Sequence, residues 1–241
     1  MKDNKKRIQK VLSENGIMSR RKSEIAIKTG KIRLNGYQAT LGMKMDPYID
    51  IIHIGKQRVY LDTQSEKIYI MMNKPRGYIT TTKDERDRKC VMDLLKDIPH
   101  RVYPIGRLDK NSEGLLLFTN DGEFANFIMH PKNNIKKTYR VTIRGDITEE
   151  QIIKLTYGVN IDTGITLPAN IKIIIQEPNR CVFNITIMEG KNRQIRKMCE
   201  SIGLNLIRLI RVSIGPVKLG MLQPGKYRYI TPEELKLLKK T

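Results

Sequence analysis

Three short segments of this chain carry more polar chemistry than a strand or helix needs. In the first, Tyr103-Pro104-Ile105-Gly106-Arg107-Leu108-Asp109 leads through Lys110-Asn111-Ser112-Glu113-Gly114 into the apolar run Leu115-Leu116-Leu117-Phe118. An arginine and an aspartate two residues apart thus sit in a glycine-bounded loop, the kind of rigidly held loop on which catalytic groups are mounted. The alternative is an ordinary surface Arg-Asp pair. In the second, Lys136-Lys137-Thr138-Tyr139-Arg140-Val141, a period of two puts Tyr139, Val141 and Ile143 on one face and Thr138, Arg140 and Thr142 on the other. Tyr139 then faces the core side. It offers a ring for stacking and one polar atom for a proton or hydrogen bond, or is a core tyrosine with a satisfied hydroxyl. The third runs Glu189-Gly190-Lys191-Asn192-Arg193-Gln194-Ile195-Arg196-Lys197-Met198-Cys199. Here Ile195, Met198, Cys199 and Ile202 form the buried stripe of a helix ending at Gly203, which turns Arg193 and Lys197 away and leaves Arg196 on the border. Cations in the opening turn suit a phosphate. A border arginine can instead turn inward, where its fixed charge keeps a partly buried carboxylate ionised.

These segments need elements to hold them. Ile8, Val11 and Leu12 recur at helical spacing from Lys5 to Asn15, and Gly16 stops that helix. A second helix starts at Ser19, a good N-cap, and ends at Gly30. Its first turn holds Arg20, Arg21 and Lys22, which the positive end of a helix dipole disfavours; a phosphate across the helix start would explain them, and so would a solvated charged face. Asn35-Gly36 marks a hairpin. The polar stretch Asp62 to Lys67 reads as a linker, dividing the chain into 1–62 and 63–241. In the larger part, strands are expected at Ile68–Met72, Tyr78–Thr82, Leu115–Phe118, Lys137–Ile143, Ile171–Ile175 and Val182–Met188. Thr148 with Gln151, and Thr231 with Glu234 after Pro232, are capping boxes that fix two helix starts. Without regular βα alternation, the fold class is α+β.

Composition narrows the partner. Lys and Arg total 45 against 25 Asp and Glu, a net charge of +20 that points to a polyanion. Residues 1–62 hold +8 of it, so both parts should touch the anion. Cys90, Cys181 and Cys199 form no CxxC pair, and His53, His100 and His130 fit no metal-binding pattern; no metal is expected, and a reducing cytoplasm fits. No apolar run suggests a membrane span or a signal peptide.

Taken with Met72-Asn73-Lys74-Pro75-Arg76-Gly77 upstream and Ile214-Gly215-Pro216-Val217-Lys218-Leu219-Gly220 downstream, the three segments resemble the RsuA/RluB/RluE/RluF family of ribosomal RNA pseudouridine synthases. Residues 5 to about 60 resemble the alpha-L RNA-binding module shared with a small-subunit ribosomal protein. The resemblance implies a mixed, mainly antiparallel-sheet catalytic domain behind a small RNA grip, working without a cofactor and as a monomer. It implies Asp109 as catalytic aspartate, Tyr139 as active-site tyrosine and Arg196 as the ion-pair partner of Asp109. Arg107 would brace the gap left by a flipped uridine. Lys74, Lys191 and Arg193 would meet phosphates, and Leu209 would pack against the pocket. The implied substrate is large-subunit ribosomal RNA. The competing readings are a small-subunit synthase and a non-catalytic ribosome-assembly factor. A zinc deaminase or a nuclease would need a ligand cluster that the sequence does not display.

Overall fold

The computed structural model describes residues 4–62, 66–82 and 84–240. They form two compact units, one made of the chain up to Lys67 with Asn120–Gly122, the other of Ile68–Thr119 with the chain from Glu123 onward. The division falls at the far end of the stretch read as a linker, of which Thr63, Gln64 and Ser65 lie outside the described residues.

The first unit contains β1 (Lys6–Arg7), α1 (Ile8–Glu14), α2 (Arg20–Lys28), β2 (Ile32–Leu34), β3 (Tyr37–Gln38), β4 (Lys44–Met45), β5 (Ile52–Ile54) and β6 (Gln57–Val59). Helix α1 begins later than the periodicity suggested because Lys6 and Arg7 pair with β4. Both helices stop in the same way. Gly16 and Gly30 take left-handed φ of 70° and 69°, and the N–H groups of Ile17 and Lys31 reach back to the carbonyls of Leu12 and Ala26. Ser19 caps α2 by accepting from the Lys22 N–H, leaving Arg20, Arg21 and Lys22 exposed. Asn35 and Gly36, both at positive φ, close the β2–β3 hairpin. Ile8, Leu12, Ile32, Met45 and Ile52 form this unit's core.

In the second unit follow β7 (Tyr69–Lys74), β8 (Tyr103–Ile105), β9 (Glu113–Thr119), α3 (Gly122–Met129), β10 (Lys137–Arg144), α4 (Glu149–Tyr157), β11 (Asn160–Ile161), β12 (Gly164–Ile165), β13 (Asn170–Glu177), β14 (Arg180–Ile187), α5 (Gln194–Ser201), β15 (Asn205–Ile214), β16 (Val217–Lys218), β17 (Tyr227–Tyr229) and α6 (Pro232–Lys240). Both expected capping boxes are present, Thr148 with Gln151 and Thr231 with Glu234. One sheet runs β13-β14-β10-β15-β9-β7-β17, with β16 added to β15 and β8 to β9.

Every pair in that sheet is antiparallel except β15 with β9, which lie parallel over two residue pairs, Ile210 with Glu113 and Arg211 with Gly114. This short seam joins two half-sheets with separate cores. Phe183, Ile185, Met198 and Leu209 belong to one; Met71, Leu115, Leu117 and Phe124 belong to the other.

Two expectations differ. Tyr78–Thr82 makes only the bridge Ile79–Cys90, because the Thr80 side chain is committed to a loop rather than a ladder: its hydroxyl donates to the Leu108 carbonyl at 2.8 Å and accepts from the Leu108 N–H at 3.2 Å. The central strand β15 was not anticipated. Its pairing with β10 shifts register twice, and each extra residue breaks the period-two pattern that would have revealed it.

The seam rests on Gly114. Its φ is 101°, and a Cβ there would stand 2.3 Å from the Arg211 carbonyl oxygen and 2.7 Å from its nitrogen, both backbone. Gly114→Ala should therefore cost at least about 2 kcal/mol, read as a fall in the urea midpoint. Gly106→Ala, at φ +73° but with open space around it, should cost only about 1–2 kcal/mol. Equal stability of the two variants would show that the strands are not in such close approach.

Candidate active site

The segment carrying Asp109 enters the seam immediately before β9, and its backbone is held from several directions. Lys74, the last residue of β7, is fully buried. Its Nζ donates to the carbonyls of Ser112 at 2.8 Å, Pro75 at 3.0 Å and Lys110 at 3.4 Å. Gly77 N–H also reaches the Lys110 carbonyl, and Ser112 N–H closes a turn onto the Asp109 carbonyl. Thr80 fixes Leu108. The expectation that Lys74 meets a phosphate does not fit this placement, because its donors are spent on loop carbonyls and it has no exposed surface. Burial draws its pKa from 10.5 down to about 8, with the carboxylates of Glu113 and Asp109 working in the opposite direction.

On the far side of the loop stands α5. Arg196 Nη2 donates to the Asn111 carbonyl at 2.8 Å and to Ser112 Oγ at 3.2 Å, and its Nε lies 3.8 Å from Asp109 Oδ2. Burial pulls Arg196 below the ordinary arginine range, Arg193 adds to the effect, and Asp109 opposes it. Arg193 was expected on the open face of the helix. It is instead the N-cap, at φ 52°, and this left-handed turn brings its Nη1 to 4.0 Å from the same Asp109 oxygen while leaving half its side chain exposed. Gln194 holds the turn in place. Its buried amide donates to Glu189 Oε1 at 2.6 Å and accepts from the Lys191 N–H at 3.0 Å. Lys191 Nζ donates to the Ile165 carbonyl, with Glu189 3.7 Å away.

The third wall is the core side of β10 and β15. Tyr139 and Arg211 are directly paired there, and Leu209 is buried beside them. Arg211 is 4% exposed; its Nε donates to the Leu115 carbonyl at 2.7 Å, and its Nη1 lies 3.5 Å from the Tyr139 hydroxyl. The result is a cavity of about 680 Å³ whose lining includes Arg107, Asp109, Tyr139, Lys191, Arg193 and Arg196. Those six expected site residues come together, Leu209 with them; Lys74 lies beneath the loop, and Arg20, Arg21 and Lys22 belong to the first unit. Arg211 and Gln194 escaped the sequence reading. An arginine in the apolar run Leu206–Ile214 was the available signal for the first, and nothing marked the second. Among the described residues no group of three His, Cys, Asp or Glu side chains is placed to hold a metal ion.

A cavity with a tyrosine ring in its wall, two carboxylates, Asp109 and Glu189, and an excess of cations suits a nucleotide carrying phosphate. Residues 68–201 match the family model described as RNA pseudouridylate synthase. The chain belongs to the RNA pseudouridine synthase family. It is 42% identical to the ribosomal large subunit pseudouridine synthase B of Bacillus subtilis over 97% of this chain and 95% of that protein. It is 38% identical to the protein of the same name from Pseudomonas aeruginosa, over 96% of this chain and 61% of that one. A crystal structure of a pseudouridylate synthase superposes with a TM-score of 0.69 at 28% identity, covering 96% of this chain and 99% of the other. As a pseudouridine synthase the chain acts on RNA, isomerising uridine in place.

In this synthase the buried Lys74 is the member of the site whose titration most directly reports the loop. With its pKa lowered, the native state loses the proton before the unfolded chain does, so stability should rise as pH goes from about 8 to about 10.5. Lys74→Met should lack that rise. It should also lose about 2–4 kcal/mol at neutral pH, because loop carbonyls are left without a donor. Parallel pH dependence of the urea midpoints in the two proteins would show that Lys74 is not desolvated under the loop.

Proposed function

We propose that this synthase modifies a uridine of large-subunit ribosomal RNA, with Asp109 as the catalytic carboxylate, Tyr139 as the base-stacking residue and Arg196 as the partner of Asp109. The observation that carries this reading is the approach of Arg196 and Arg193 to one oxygen of Asp109, 3.8 and 4.0 Å away, at the wall of the cavity that Tyr139 also lines. Isomerisation breaks the N1–C1′ bond, turns the uracil and joins C5 to C1′, with no net redox change and no water consumed. A group that attacks C1′ or takes a proton from the sugar must be anionic. Two guanidinium groups face the Asp109 carboxylate. Tyr139 stacks on the uracil and holds it while it turns, and Arg107, exposed at the rim, fills the gap left in the RNA.

The large-subunit assignment is supported by the names of the Bacillus and Pseudomonas relatives. The first unit is proposed to be an alpha-L RNA-binding module, supported by the exposed Arg20, Arg21 and Lys22 at the start of a well-capped helix. Mapping pseudouridine in ribosomal RNA from cells with and without this gene tests the substrate. A missing modification in the large subunit is the expected result, and one in the small subunit would reassign it. Asp109→Asn keeps the shape and removes the charge, so binding should survive while turnover disappears; measurable turnover would sink the assignment.

The two arginines should separate kinetically. Arg196 is more buried and bonds the loop as well as facing Asp109. Arg196→Ala should lower the single-turnover rate on bound RNA by about 10²–10³ with a smaller effect on affinity. Arg193, half exposed, should cost more in affinity than in rate, flattening the salt dependence of binding by about one phosphate contact when changed to Ala. Rate losses in the reverse order would make Arg193 the principal partner.

A further inference from the structure

The sheet that carries Tyr139 has a second face, and it is hollowed. Strand alternation sends Tyr139 and Arg211 toward the catalytic cavity and sends Thr138, Arg140, Arg208 and Ile210 to the opposite side. At Thr138–Tyr139 the pairing skips Val212, a one-residue bulge, and both Val212 and Ser213 line that opposite side. There lies a cavity of about 540 Å³, a volume suited to a small ligand.

Its lining is not that of a structural void. Ile210, Val212 and Leu219 are apolar, while Arg76, Arg140 and Lys218 are exposed cations. Arg208 is also there, neutralised by Glu113 at 2.7 Å. Asn184 contributes a side-chain oxygen without a hydrogen-bond partner. The only carboxylate among the lining residues is therefore already paired, and three exposed cations are left over beside the buried Lys74. An apolar wall for a ring, an amide for a base edge and surplus positive charge for a phosphate are the features by which a single nucleotide is held. The cavity also borders the active site. Lys74, Pro75, Arg76 and Glu113 line it, while Asp109 and Ser112 of the same connecting segment line the catalytic cavity, and the charge of Arg76 is felt at Arg196.

We propose that this back-face cavity is a second nucleotide site, taking a nucleoside phosphate outside the catalytic pocket. The chemistry is shared by a nucleotide of a bound RNA strand and by a free mononucleotide, and the test separates the two. Arg140 and Lys218 face away from Asp109, so the full-length Arg140→Gln, Lys218→Gln double variant removes two of the three unpaired exposed charges of the cavity, leaving Arg76, without touching the catalytic wall.

The probes are a short single-stranded RNA of mixed sequence, titrated at several salt concentrations, and UMP, titrated by calorimetry. For an RNA strand the double variant should bind at least about fivefold more weakly, with a salt slope shallower by about 1.4, or about 0.7 for each lost contact. For a free mononucleotide, wild type should show two UMP sites and the variant one, with RNA affinity unchanged. Either result supports the site. The charge-keeping Arg140→Lys, Lys218→Arg variant should bind as wild type does, and the Gln variant should turn over bound RNA at the wild-type rate. Unchanged RNA affinity and salt slope together with an unchanged number of UMP sites overturns the proposal. An active Asp109→Asn variant would undo the catalytic assignment and leave these binding results standing.

Discussion

The Lys74 ammonium under the Asp109 loop is the contact on which the rest of the site depends. A loop that enters a sheet at its seam exposes carbonyls to the interior, and buried carbonyls without donors are costly. Lys74 supplies donors from below and Arg196 supplies them from the helix side, so two cations meet the carbonyls of Pro75, Lys110, Asn111 and Ser112. Burying the charge of Lys74 is itself unfavourable, as its pKa of about 8 shows. The cost is offset because the ammonium replaces water at several oxygens at once, and because Glu113 and Asp109 are close enough to favour the charged form. The same lysine thus holds the Asp109 loop and feels the charge of Asp109.

The seam explains why the cavities lie where they do. Two antiparallel half-sheets meet through only two parallel residue pairs, and the close approach is possible because Gly114 has no side chain. On one side of that junction the loop, α5 and the Tyr139 strand enclose the catalytic cavity. On the other, the bulge at Val212 borders the hollow on the opposite sheet face. Bulges beside active sites re-aim side chains, and this one lets β15 offer Arg211 to one face and the adjacent Val212 and Ser213 to the other.

Much of this was legible in the sequence because the informative signals are local. Capping boxes, the Asn35-Gly36 turn and the alternation around Tyr139 depend on neighbours a few residues away, and each appears as read. The buried stripe of α5 was legible for the same reason. What failed was non-local. Lys74 reads as a surface cation until Ser112, 38 residues on, is seen to sit over it. Arg193 was misplaced because helical phase was carried one residue beyond the helix, into a left-handed N-cap that does not share it. Strand β15 was hidden by two bulges, and Gln194 by the fact that its partners, Glu189 and Lys191, form a turn rather than a periodic element.

The geometry around Asp109 bears on the catalytic role proposed for it. Hydrogen bonds to a carboxylate stabilise the anion, but they also occupy the lone pairs that must attack a sugar carbon or accept a proton. Here both guanidinium groups stand 3.8 to 4.0 Å from Oδ2, beyond hydrogen-bonding distance, and no hydrogen bond to the carboxylate occurs among the described residues. Some of the groups that might have bonded it are spent elsewhere, while Arg196 Nε, 3.8 Å from Oδ2, has no hydrogen-bond partner. Arg196 Nη2 is committed to Asn111 and Ser112, and the donors of Lys74 to loop carbonyls. Asp109 is therefore held by its backbone and steadied by charge at a distance, with a third of its side chain open. Tightening those ion pairs into hydrogen bonds would occupy lone pairs that the catalytic role proposed for Asp109 needs open.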